Sequence, residues 1–292
     1  MTAEAAGSGK TERDENFPVA SRLVAPQYRP VILAFYRFVR KADDVADHPG
    51  LPPQAKLDAL AALQSTLDGA DDHDADGVAL RAALKARGLG AVHARDLLAA
   101  FRLDVTKSRY RDWQDLIGYC ALSAMPVGRF VLDVHGESAS LWPASDAICA
   151  SLQVINHLQD CGQDFVNLDR VYLPQDALDR VGADIADLAA PRASSALRAA
   201  IADLAQKAGA LLDEGADLAG RVSDWRLACE IGAIVRLARA NVDRLRRHDP
   251  LSERVHPGKA AFVWSGLVGA AEGAIARATS TGGAAATQAR RR

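Results

Sequence analysis

The chain has 292 residues, 49% of them apolar, with 35 basic against 37 acidic side chains and a net charge of −2. That balance, with few aromatics, offers no basic surface for nucleic acid. It is the composition of a globular protein of one large or two small domains, with enough apolar residues for a core that accommodates a long lipid.

Alanine and leucine dominate, glycine and proline fall mainly at segment ends, and apolar residues recur at intervals of three and four. The predicted class is therefore all-α. The opening stretch MTAEAAGSGKTERDE lacks the apolar core of a signal peptide, and residues 1–13 read as a disordered leader. Gly9-Lys10-Thr11 suggests a phosphate loop, but Glu4 stands where that motif needs glycine, and no buried strand precedes it. One folded domain is expected over residues 14–278. No apolar run reaches the roughly 18 residues of a membrane span, and the placement read from this is cytoplasmic.

A first helix is predicted from about Pro30 to His48, with proline in its first turn and Pro49-Gly50 ending it. It carries Tyr36, Arg40, Asp43 and Asp47, the two acids four residues apart and so on one face. Asp44 lies about 100° round the helix, where solvent or Arg40 would take it. Leu57, Leu60, Leu63 and Leu67 form the stripe of the next helix. In the loop that follows, Asp72-x-Asp74-x-Asp76-Gly77 copies half of a calcium loop, but Ala83 occupies the position of the bidentate glutamate, so a solvated acidic loop is expected. Leu97–Arg109 reads as another helix. Asp115–His135 is apolar, with Pro126 expected to bend or break it and with Ser123, Ala124 and Gly128 keeping its wall thin.

The stretch Gln153–Pro174, QVINHLQDCGQDFVNLDRVYLP, places Asn156, Asp160 and Asp164 four residues apart, again on one helical face. A single D-x-x-x-D is by itself a solvated pair far more often than a metal site. Here both acidic turns continue apolar helices, VILAFYRFV before Asp43 and ICASLQVI before Asp160. Carboxylates carried inward on two such helices repel one another unless a cation sits between them. Oxygen ligands of this kind suit Mg²⁺, with Arg40 and Arg170 reaching the remaining anion oxygens.

Beyond Pro174, helices are expected near Ser194–Leu218, Trp225–Arg247 and Ala260–Arg277, and residues 279–292 read as a disordered low-complexity tail ending in three arginines. Those arginines suggest a weak peripheral attraction to anionic lipid. Cys120, Cys149, Cys161 and Cys229 show no paired C-x-x-C spacing and read as reduced structural thiols.

Tyr36-x-x-x-Arg40-x-x-Asp43-Asp44-x-x-Asp47, then Tyr119-Cys120 with Ala124 and Val127-Gly128, then Gln153-x-x-Asn156-x-x-x-Asp160-x-x-x-Asp164, closing on Arg170-Val171-Tyr172, occur in order. This series resembles the head-to-head trans-isoprenyl diphosphate synthases, the squalene and phytoene synthases. The stretches Glu15–Ser21 and Ser123–Arg129 look most like the hydroxysqualene synthases of bacterial hopanoid pathways. The resemblance is strong from about Asp14 to Pro174 and weak afterwards. It implies an isoprenoid synthase-type helical bundle round a central cavity, an isoprenoid diphosphate substrate, and Mg²⁺ held by Asp43, Asp47, Asn156, Asp160 and Asp164. It also implies substrate contacts from Ser21, Tyr36, Arg40, Gln153, Asn156, Gln159, Arg170 and Tyr172, with Tyr119 near the reacting carbons. Ser21 has capping or turn formation as an equal alternative. Arg254 is added because Glu253-Arg254-Val255 resembles a C-terminal stretch whose arginine faces diphosphate, although the same ungapped register puts Leu237 where phytoene-synthase-like relatives carry tyrosine.

The implied reaction is conversion of presqualene diphosphate to hydroxysqualene with release of diphosphate. Many relatives that join two prenyl diphosphates carry a basic residue before the first Asp of the second motif and an acidic one before the last. Here they are Gln159 and Gln163, which suggests a site for one diphosphate. Two alternatives stay open: a condensing member that makes presqualene diphosphate, squalene or phytoene, and a non-catalytic scaffold with the same fold. No G-x-G-x-x-G follows a strand, so the sequence offers no nicotinamide fingerprint, and oligomeric state is not legible.

Overall fold

A computed structural model describes residues 24–256 and 259–289. Twelve α-helices make up most of it, and no strand forms among the described residues beyond one isolated parallel bridge, Arg109 to Val171. The helices are α1 (Arg29–Asp47), α2 (Pro53–Asp68), α3 (Ala75–Ala86), α4 (Val92–Thr106), α5 (Trp113–Ser123) and α6 (Met125–Val134). They continue as α7 (Trp142–Leu168), α8 (Gln175–Val181), α9 (Ser195–Glu214), α10 (Leu218–Arg221), α11 (Trp225–Arg247) and α12 (Lys259–Ala289). The fold is all-α, as the three-and-four periodicity predicts.

Two apolar clusters build the interior. One gathers Val31, Phe35, Phe38 and Val45 of α1 with Leu60, Leu80, Leu98 and Phe130. The other centres on Ile155 and Leu158 of α7, packed by Ile201 and Leu204 of α9 and by Ala228, Ala238 and Leu245 of α11. Between the two lies an apolar cavity of about 350 Å³, walled by Ile32 and Phe35 from the first cluster and by Ile148, Leu227 and Ile231 from the second. Each residue of the wall that leaves water adds apolar burial on the order of 25 cal/mol per Å², so the cavity forgoes stability that filling side chains would supply.

The turns follow local chemistry. Pro126 starts α6 in its first turn and the chain breaks at Ala124, as expected of a proline inside an apolar run. The span Trp113–Val134 is long and apolar enough to cross a membrane by length and composition, which the sequence reading did not anticipate. It is two helices, and α5 and α6 together supply Ser123, Val127 and Phe130 to the cavity wall. The acidic loop is used structurally: Asp71 accepts from Ser65, Thr66 and the His73 backbone, Asp72 pairs with Arg81, and Asp74 caps α3 through Gly77 N–H and pairs with Lys41. Helix α12 runs on to Ala289, past the expected end at Arg277. All four cysteines are free thiols.

Candidate active site

Helix α1 ends on Asp47, and the 27-residue α7 carries Asn156, Asp160 and Asp164 down one side to Leu168. Gly162 lets α7 continue unbroken against its neighbours, since a Cβ there would lie 2.6 Å from Leu251 Cδ2. Past Leu168 the chain turns through Asp169, held at φ 51°, a left-handed conformation that short polar side chains tolerate. The turn lays Arg170-Val171-Tyr172 alongside Ser108-Arg109, with Val171 N–H donating to Ser108 O at 2.9 Å. That pairing aims Arg170 at α1 and Tyr172 at α4.

The buried Arg170 donates to Asp47 Oδ1 at 2.6 Å. Arg40 pairs with Asp43 at 2.9 Å and with Asp44 at 2.8 Å, so Asp44 takes the arginine and not only solvent. Asp104 of α4 accepts from Tyr119 Oη at 2.9 Å on one oxygen and from Tyr172 Oη at 3.1 Å on the other. Tyr110, Tyr119 and Tyr172 form a ring cluster with centroids 5.4 to 5.5 Å apart, and His157 stacks on Tyr172 at 3.5 Å.

Electrostatics mark the same place. Burial, then repulsion from Asp47, pushes the Asp43 carboxyl up to about 7 in spite of Arg40. Burial, then Asp160, raises Asp164 to about 7, with Asp47 and Asp104 adding to it and Arg170 opposing. Burial lifts Asp104 to about 6 against Arg170 and its two tyrosine donors. His157 is held down to about 3 by burial and by Arg170, so the imidazole is neutral near pH 7. The Gln153 amide nitrogen lies 3.1 Å from His157 Nε2, which assigns the ring proton to Nδ1, on the side where Asp164 Oδ2 stands 4.0 Å away.

Asp43, Asp47 and Asp164 thus stand in one electrostatic cluster, in which Asp47 acts on both of the others and Arg170 on Asp47 and Asp164. Asp160 lies beside Asp164 and 3.8 Å from His256 Nε2. Tyr36 and Gln153 line the apolar cavity. Gln159 is buried with both ends of its amide unbonded by protein groups, an arrangement that costs about 1–3 kcal/mol per polar group. Gln163 is exposed. Arg254 is exposed and forms no ion pair among the described residues, while His256, two positions on, reaches Asp160. Ser21 lies outside the described residues, as do the leader and Arg290–Arg292. Sequence reading missed Asp104 and His157 as members of the site.

The donor set fits a hard divalent cation: carboxylate oxygens on two helices, partly protonated near neutral pH because no positive charge offsets them fully. Among the described residues no three acids close round a single point. Such an open arrangement suits Mg²⁺, which keeps several waters and takes further oxygens from a bound phosphate.

The raised carboxyls give a sign for stability. A carboxyl whose folded pKa exceeds its unfolded value costs nothing at low pH and destabilises progressively as pH climbs from its unfolded pKa through about 7. The metal-free protein is expected to lose melting temperature from about pH 5 to about pH 8, and Asp43→Asn to flatten that loss. Thermal melts of both proteins across the range check this, and parallel curves contradict it.

Comparison with known proteins agrees with the geometry. A sequence model of squalene/phytoene synthase matches residues 10–260. A hydroxysqualene synthase of Sinorhizobium fredii is 51% identical over 275 residues, covering 94% of each chain, and one of Rhodopseudomonas palustris is 53% identical over 256 residues, covering 88% of each. Among solved structures, squalene synthase HpnC from Alicyclobacillus acidocaldarius superposes with a TM-score of 0.69 at 34% identity, over 77% of this chain and 85% of that one. A dehydrosqualene synthase solved with a ligand shares the fold, with a TM-score of 0.73 at 21% identity over 84% and 86%. With its paired acidic helices above an apolar cavity, this chain belongs to the squalene/phytoene synthase family of enzymes.

Proposed function

We propose that the protein converts presqualene diphosphate to hydroxysqualene, with Mg²⁺ at Asp43, Asp47, Asn156, Asp160 and Asp164. The observation that carries this reading is the meeting of Asp43, Asp47 and Asp164, their charge only partly offset, beside an apolar cavity. The identity of about half the chain to proteins named hydroxysqualene synthase supports the particular reaction. Bound Mg²⁺ would supply charge neutralisation to the departing diphosphate.

The chain's own groups do the rest. Arg40 and Arg170 are already fixed by carboxylates at the site, so their guanidinium groups meet phosphate oxygens without reorganising. Asp104 fixes the hydroxyls of Tyr119 and Tyr172, which sets the orientation of both rings, and a ring face attracts a cation. The cavity walls keep bulk water from the carbocation left when diphosphate departs. Addition of water at that cation, with loss of one proton, balances the conversion to an alcohol. The unbonded amide of Gln159 supports a partner that arrives with substrate.

The test is diphosphate release from presqualene diphosphate with and without Mg²⁺. Release that needs the metal and yields an alcohol is expected. Turnover of farnesyl diphosphate with none of presqualene diphosphate would move the assignment to the condensing reaction, and no turnover of either would favour a scaffold.

A further inference from the structure

A helix on the surface of a globular protein normally turns polar residues to water. Helix α12 does the reverse. Val263, Trp264, Leu267 and Ile275 are 59%, 68%, 64% and 63% exposed, and Ala271 and Ala278 between and beyond them are exposed too. At 3.6 residues per turn these six side chains fall within an arc of about 120°, and no charged residue enters it. Glu272 stands outside the arc, paired with Arg236 at 2.7 Å.

The opposite side of α12 is committed to the protein. Gly269 and Gly273 pack backbone to backbone on α11, where a Cβ on either would collide with Gly232 O or Ala228 O. The helix therefore cannot roll its apolar face inward without leaving a contact that only glycine allows. Next to Ala228 and Gly232 on α11 are Leu227 and Ile231, which wall the cavity. The exposed face thus lies on the outer side of the cavity wall.

We infer that this face is a docking surface for a bilayer containing anionic lipid, with α12 lying in the plane of the interface. Its composition is that of an interfacial helix, aliphatic with a tryptophan suited to the headgroup boundary. Charge points to the same partner. In a chain of net charge −2, the stretch from Lys259 to Arg292 holds five basic residues, Lys259, Arg277, Arg290, Arg291 and Arg292, against the single acid Glu272. A basic stretch is drawn to anionic headgroups, whereas a second copy of the chain would bring the same positive stretch against it. The inference rests on the exposed face and its charge. The proposed hydrocarbon chemistry gives it a use, since docking sets the cavity wall against the phase into which such a product partitions.

The full-length protein is floated with vesicles of phosphatidylcholine, with and without phosphatidylglycerol, in the absence of substrate. Wild type is expected to float with the anionic vesicles and to shift its emission to the blue, a shift lost in Trp264→Phe. The triple change Val263→Ser, Leu267→Ser, Ile275→Ser should weaken binding on the order of a hundredfold or more while circular dichroism and diphosphate release stay as in wild type. Replacing Arg290, Arg291 and Arg292 by glutamine should weaken binding to anionic vesicles about tenfold or more and leave binding to neutral ones unchanged. Failure of wild type to float would overturn the inference, as would a triple variant that floats equally well. Sedimentation decides the remaining case: a wild-type dimer that becomes monomeric in the triple variant, with neither floating, would assign the face to self-association. None of these outcomes depends on which diphosphate is the substrate.

Discussion

Asp43→Asn and Asp160→Asn are each expected to lower diphosphate release by about three orders of magnitude or more, with helical circular dichroism retained. Asparagine keeps the shape and removes the charge, so what is lost is attraction for a cation and not packing. Asp43 sits on α1 among groups that already raise its pKa to about 7, which means that the folded protein bears a cost to hold it ionised. Removing the charge should therefore leave the metal-free protein as stable at about pH 8 as before, or more so. A variant that melts higher and releases almost no diphosphate is the combined signature. Near-normal release from either would show that the two acidic turns act as ordinary surface charge.

Asp104→Asn is the second large effect. Its two oxygens accept from Tyr119 and Tyr172, and asparagine offers one acceptor where two hydroxyls now donate. One tyrosine must then accept from the amide NH2 instead of donating to a carboxylate, and both rings lose the charge-assisted hydrogen bond that fixes them. Release is expected to fall about a hundredfold or more, mostly in kcat, because the orientation matters to the reacting state more than to binding. Tyr172→Phe, which frees one Asp104 oxygen but keeps the ring on His157, should fall less. Equal loss in KM with kcat unchanged would place Asp104 in substrate binding instead.

The residues that were legible in the sequence are those whose partners lie one or two helical turns away. Asp43 with Asp47 and Asn156 with Asp160 and Asp164 repeat at four, and Pro30, Pro49 and Pro126 mark helix ends that the structure shows within a residue or two. Trp225–Arg247 is bounded as read. Asp104 could not be found this way: its partners are 15 and 68 positions along the chain, and a lone acid in a helix has no local signature. His157 sits inside the legible motif but turns toward Tyr172, a contact made only by the turn at Asp169. The apolar stripe of α12 reads as core from periodicity alone. What reverses that reading is the pair Gly269 and Gly273, which commits the other side of the helix to α11.

What captures the cation decides the product, because ionisation alone does not. Purified protein is incubated with presqualene diphosphate and Mg²⁺ in oxygen-labelled water, with and without NADPH, and the products are separated and weighed by mass spectrometry. Hydroxysqualene is expected as the main product in both reactions, carrying the label in its hydroxyl group. Squalene formed on addition of NADPH, or an alcohol free of label, would contradict it.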